Sequence, residues 1–149
     1  MANILFFILT LVAGGALAIQ AGTNSQLRMS IGDPIISSIF SFSVGLTGLL
    51  IFVSLQKNNS FPALHSLFQI TWWKWIGGLL GAFYIVVTVL VAPKIGAVSF
   101  ISLTIAGQLV TSLILDHFGL VGFSIKPITL TKIIGVICLF LGVYLITKK

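Results

Sequence analysis

WIGGLLGAFYIVVTVLVAPKIGAVSFISLTIAGQLVTSLIL, residues 75–115, holds two long apolar runs separated by little more than Pro93 and Lys94. Neither run alternates polar with apolar residues as a barrel strand does, and each is longer than such a strand needs to be. Each approaches the roughly 20 residues that carry an α-helix across a hydrocarbon core of about 30 Å. Backbone polar groups in lipid must be paired within their own segment, which makes both runs helices. A link this short predicts that the two lie antiparallel. Working outward, the same reading applies upstream and downstream, giving five expected spans at 4–20, 35–55, 75–92, 97–115 and 128–146. The expected fold is an all-α integral membrane protein, with residues 1–149 forming a single membrane domain.

Composition closes off the other classes. Of 149 residues, 58% are hydrophobic and 7% are charged, against roughly 25% charged in a soluble globular protein. Ample apolar surface and little repulsion exclude disorder. The net charge of +6 comes from basic residues scattered between apolar runs. Nucleic-acid binding would need a patch or stripe, so nucleic acid is not an expected partner. These residues read instead as interfacial anchors, with membrane lipid around them. Cys138 stands alone inside an apolar run, which permits no internal disulfide and no cysteine cluster for a metal. Residues 4–19 lack a basic leading region, so they read as a retained first helix rather than a signal peptide, despite Ala16-Leu17-Ala18. The chain has no His-Glu-x-x-His, no phosphate loop and no Gly-x-Ser-x-Gly elbow. It is not expected to be an enzyme, and no catalytic residue, cofactor or metal is assigned.

The joints agree with this division. Gly32-Asp33-Pro34 interrupts a helix, Lys57-Asn58-Asn59-Ser60 and Pro62 mark a second connection, and residues 116–127 form a fourth. Trp72, Trp73 and Trp75 suit an interfacial belt. With five spans, Lys57, Lys74, Lys126 and Lys132 fall on one side and Arg28, Lys94, Lys148 and Lys149 on the other, so the eight basic residues divide equally. Orientation normally follows a Lys/Arg excess on the cytoplasmic side. Two readings stay open: insertion in both orientations with assembly as an antiparallel pair, or one orientation set by individual charges.

Gln20, Asn24 and Arg28 recur every four residues, a polar stripe if the first helix continues past Gln20. Glycines such as Gly14, Gly45, Gly77, Gly81, Gly135 and Gly142 are expected at helix contacts, because close backbone approach replaces the hydrophobic drive that lipid removes. Gln108, deep in a span, should face the bundle or a cavity. Gln108, Tyr84, Gln20 and Asn24 are the candidate substrate-binding residues. Each has a plainer reading, as an interhelical hydrogen bond, a packed aromatic or a group meeting water. Asp116 and His117 could couple protons or order a loop, His being able to titrate near neutral pH. No Asp or Glu falls in the middle of any expected helix.

These pieces together resemble a known family. In order they are Gly15 and Gln20, Asn24, Leu27-Arg28, Gly32 and Pro34, then Trp72-Trp73, Trp75, Gly77-Gly78, Gly81-Ala82 and Tyr84. Pro93, Gly96-Ala97, Gly107-Gln108 and Asp116-His117-Phe118-Gly119 complete the set. Over nearly its whole length the chain resembles a half-size, five-helix bacterial family of the drug/metabolite transporter superfamily, long labelled as a domain of unknown function. The resemblance implies a multi-pass protein of the bacterial cytoplasmic membrane and one half of a ten-helix inverted-repeat bundle. The other half would be an inverted copy, as an antiparallel homodimer, or a homologous half-size partner. Such transporters hold substrate near the midplane and work by alternating access. The implied function is secondary transport of a small metabolite or drug-like solute. Related four-helix exporters use a first-helix carboxylate that this chain lacks, which argues against cation–proton exchange. A narrow dual-topology ion channel and a non-transporting partner subunit are the competing readings.

Overall fold

The computed structural model describes residues 2–56 and 62–148. The Lys57-Asn58-Asn59-Ser60 connection and Lys149 lie outside the described residues. In chain order the elements are α1 (Ala2–Ile31), α2 (Pro34–Leu55), a short α3 (Leu64–Phe68) and a 3₁₀ turn (Trp72–Trp75) that leads into α4 (Ile76–Ile95). Then follow α5 (Ala97–Phe118), a second 3₁₀ turn (Leu120–Gly122) and α6 (Leu130–Thr147). Among the described residues, five helices are long and apolar enough to cross a membrane: Ile4–Ile31, Pro34–Leu55, Trp72–Ile95, Ala97–Phe118 and Leu130–Thr147.

Three boundaries differ from the sequence expectation. The first helix does not end at Gln20 but runs on to Ile31. Nothing between breaks it, and the polar side chains at 20, 24 and 28 fall on one face of a continuing helix. Pro93 is not a link but lies inside α4, which ends at Ile95. Gly96 makes the turn with φ +87°, a conformation open to glycine and strained for residues with a Cβ. The short helix α3 was not foreseen, five residues being too few for a periodic signal.

The chain divides into two compact units, Met1–Pro93 and Lys94–Lys149. In the first, α1 packs on α2. The turn between them is built by three consecutive residues. Gly32 takes φ +88° and its N–H closes on Arg28 O at 2.7 Å. Asp33 caps α2, its Oδ1 accepting from the N–H groups of Ile35 and Ile36, each at 2.8 Å. Pro34 opens the helix where a missing N–H costs nothing.

In the second unit α5 packs on α6. Gly119 ends α5 in the left-handed conformation, φ 63°, with its N–H on Leu115 O. The following loop turns back onto the helix end, where Lys126 N–H donates to Asp116 O at 2.8 Å. Thr129 caps α6 by accepting from Lys132 N–H at 3.4 Å.

Burial runs opposite to that of a soluble domain. The buried side chains include Asn24, Ser37, Ser38 and Thr88 beside Ala21, Ile85, Val89, Ala92, Phe100, Ala106 and Val143. Leu11, Val44, Leu55 and Leu145 are each at least 70% exposed. Polar groups among the buried side chains, with many large aliphatic groups exposed, is the distribution that suits lipid as solvent.

Candidate functional site

The polar stripe of α1 grades inward along the first unit, from an exposed Gln20 through a buried Asn24 to a half-buried Arg28. Gln20, Asn24 and Arg28 are one helical turn apart, so the stripe covers about 12 Å of the helix axis. Each residue meets a different feature. Gln20 lines a cleft of about 450 Å³ with Ser41, Phe42, Gly45, Leu46, Leu49 and Ile85. Asn24 is 7% exposed and its Oδ1 accepts the hydroxyl hydrogen of Ser41 at 2.8 Å. Arg28, half-buried, donates from Nη1 to the carbonyl of Val89 at 3.1 Å, reaching from α1 to α4.

A second, more apolar cleft of about 490 Å³ adjoins on the other side of Phe42, lined by α2 and α4 residues including Ser38, Ser43 and Val86. Phe42, Leu46 and Ile85 border both clefts. The first cleft thus carries Gln20 and Ser41, and the second carries Ser38 and Ser43. Most α2 hydroxyls are satisfied on their own helix: Ser38 donates to Pro34 O at 2.7 Å and Ser43 to Ile39 O at 2.8 Å. Ser41 is turned toward α1 instead.

The remaining sequence candidates lie elsewhere. Tyr84 is half-buried on α4, and its carbonyl accepts from Thr88 Oγ1 at 2.8 Å. Gln108 belongs to α5 in the second unit and its side chain is exposed. His117, at the end of α5, accepts at Nδ1 from Ile128 N–H at 3.3 Å, while Asp116 holds the same loop through its backbone carbonyl. Of the glycines expected at helix contacts, Gly81 packs within the chain, where a Cβ would touch the Phe42 ring at 3.6 Å. Gly14, Gly45, Gly77, Gly135 and Gly142 have open space in that direction. Among the described residues no group of His, Cys, Asp and Glu could hold a metal ion.

Two site residues were not anticipated. Ser41 repeats with Ser37 and Gly45 at helical spacing, a pattern that marks a face without naming its partner. Val89 contributes a backbone atom, and its only sequence signal is the proline four residues downstream.

A family model described as "Putative inner membrane exporter, YdcZ" matches residues 5–145. The inner membrane protein YdcZ of Escherichia coli (strain K12) is 27% identical over 143 residues, covering 93% of this chain and 92% of that relative. No solved structure matches the chain.

Proposed function

The chain belongs to the DMT_YdcZ family of the drug/metabolite transporter superfamily, and on that premise we propose that it is a secondary transporter of a small metabolite or drug-like solute. Membership makes it a multi-pass transport protein of the bacterial inner membrane rather than an enzyme. The working unit in this reading is an antiparallel pair of chains, ten helices in all, and the two units of each chain serve as one membrane domain. Solute crosses by alternating access between the inverted halves. The family's description as an exporter favours outward movement.

The observation that carries the reading is the stripe on α1. Three polar side chains of one membrane-length helix meet, in turn, an open cleft at the exposed Gln20, a serine hydroxyl at the buried Asn24 and a backbone carbonyl at the half-buried Arg28. Polar groups held at membrane depth mark a solute path when they line a cavity. Gln20 and Asn24 line the path in this reading, Gln20 at the cleft and Asn24 one turn further along the helix. The exposed amide of Gln108, on a helix otherwise suited to lipid, supports a second copy seated over α5.

Liposomes loaded with a bacterial metabolite extract test this. Purified protein should release a defined subset of solutes with saturable kinetics, and Asn24→Leu should slow that release. No protein-dependent loss sinks the transporter reading. A current proportional to voltage, without saturation, replaces it with a channel.

A further inference from the structure

In an α-helix the carbonyl of residue 89 accepts from the amide of residue 93. Here that residue is Pro93, inside α4, and proline has no amide hydrogen while its ring crowds the same carbonyl. The vacancy falls at a fully buried residue, Val89 being 0% exposed. A backbone group freed at membrane depth has to be satisfied by a neighbouring helix. Arg28 does this, donating from Nη1 across 3.1 Å.

The charge of Arg28 strengthens that contact but is not neutralised by it. A guanidinium is permanently cationic and carries five N–H donors in a planar fork that fits two oxygens of an oxyanion. The chain has two acidic residues, Asp33 and Asp116. Asp33 spends Oδ1 on the first amides of α2, and the partner that holds Arg28 is a neutral carbonyl. A charged oxyanion binds a guanidinium more strongly than a neutral carbonyl does. Arg28 also sits one turn beyond Asn24 and two beyond Gln20, the residue of this stripe that lines the cleft.

We propose that Arg28 recognises an oxyanion, a carboxylate or phosphate group of the transported solute, and that its bond to Val89 is the resting position from which that group releases it. The proposal rests on the transporter reading. Pro93 gives the device its reversibility: it leaves an acceptor that holds the arginine when the path is empty and is weak enough to yield it. Exchange of Arg28 between carbonyl and solute unties α1 from α4 at the moment of binding, which links recognition to movement.

Thermal unfolding of the purified protein in neutral detergent, with inorganic phosphate as probe, tests both halves. Arg28→Gln should lower Tm by several degrees when Pro93 is present and by much less in Pro93→Ala, where a restored amide satisfies Val89. Equal losses in the two backgrounds overturn the resting position. If Arg28→Gln does not fold with Pro93 present, its folding in the Pro93→Ala background supports the resting position and its failure to fold there overturns it. Phosphate should raise Tm of the unmutated protein, raise that of Pro93→Ala more because the carbonyl no longer competes, and leave Arg28→Gln unmoved. A shift of the same size in Arg28→Gln, or no shift at all, overturns the recognition. A shift seen only in nanodiscs containing phosphatidylglycerol assigns the oxyanion to a lipid headgroup and overturns the solute. None of these readouts requires flux, so failure of the transporter reading shows separately, as liposomes that lose no solute while the unfolding cycle holds.

Discussion

Ser41 and Asn24 share one hydrogen, with the serine hydroxyl donating across 2.8 Å to the amide oxygen and joining α2 to α1. Asn24 is buried, so the bond satisfies a polar group that is costly to leave unpaired. Ser41 also lines the cleft beside Gln20, so this pair fixes the spacing of two cavity walls.

Removing one partner should therefore cost more than removing both. Ser41→Ala leaves the Asn24 oxygen without its donor and should destabilise the protein by about 1–2 kcal/mol. Adding Asn24→Leu should recover much of that loss, because two apolar groups leave nothing unpaired. Thermal unfolding of the two single variants and the double variant measures the coupling. Strict additivity would show that the bond contributes nothing.

Gly119 is the point where the loop after α5 turns back. Its φ of 63° and an Ile125 Cγ1 only 2.7 Å from where a Cβ would lie leave no room for a side chain. Gly119→Ala should cost about 1–3 kcal/mol from strain and overpacking. Combining it with Ile125→Ala should relieve the clash and leave the backbone cost. The loop bond between Ile128 N–H and His117 Nδ1 reports the damage: hydrogen exchange at Ile128 should accelerate in Gly119→Ala.

In the transporter reading Gln108→Ala should cut solute flux while the paired chains still co-elute on gel filtration, one amide being a small part of the face that a second copy would cover. Unchanged flux would remove Gln108 from the solute path.

Equal division of the basic residues predicts insertion both ways. With a cysteine added after Lys149 in a Cys138→Ser background, an impermeant thiol reagent should label about half of the molecules in intact cells and the remainder after lysis. Labelling from one side only would make an oppositely oriented sister protein the required partner.

The five spans were legible because length and apolarity decide membrane crossing almost by themselves. Their ends were harder. At Gln20 hydropathy falls while helix geometry does not, and the true terminator is Gly32, twelve residues further on. At Pro93 the rule that proline stops a helix failed because Arg28 supplies the donor from another helix, a compensation that local sequence does not contain. The stripe of Gln20, Asn24 and Arg28 could be read from its period, whereas Ser41 and Val89 could not be assigned as its partners. Spacing tells which residues share a face, and only the packed chain tells what that face meets. Gln108 shows the opposite case: its residue type singled it out, yet within one chain its side chain is exposed.

The hydroxyls of α2 have a consequence for what can pass. Ser38 and Ser43 border the larger cleft with their hydrogens already given to Pro34 O and Ile39 O, and Ser41 has given its hydrogen to Asn24. A hydroxyl whose hydrogen is engaged still offers oxygen lone pairs. In the transporter reading, the serines of both clefts meet a solute only as acceptors and so favour N–H or O–H groups, while the amide of Gln20 makes the smaller cleft the one with a side-chain donor among its lining residues.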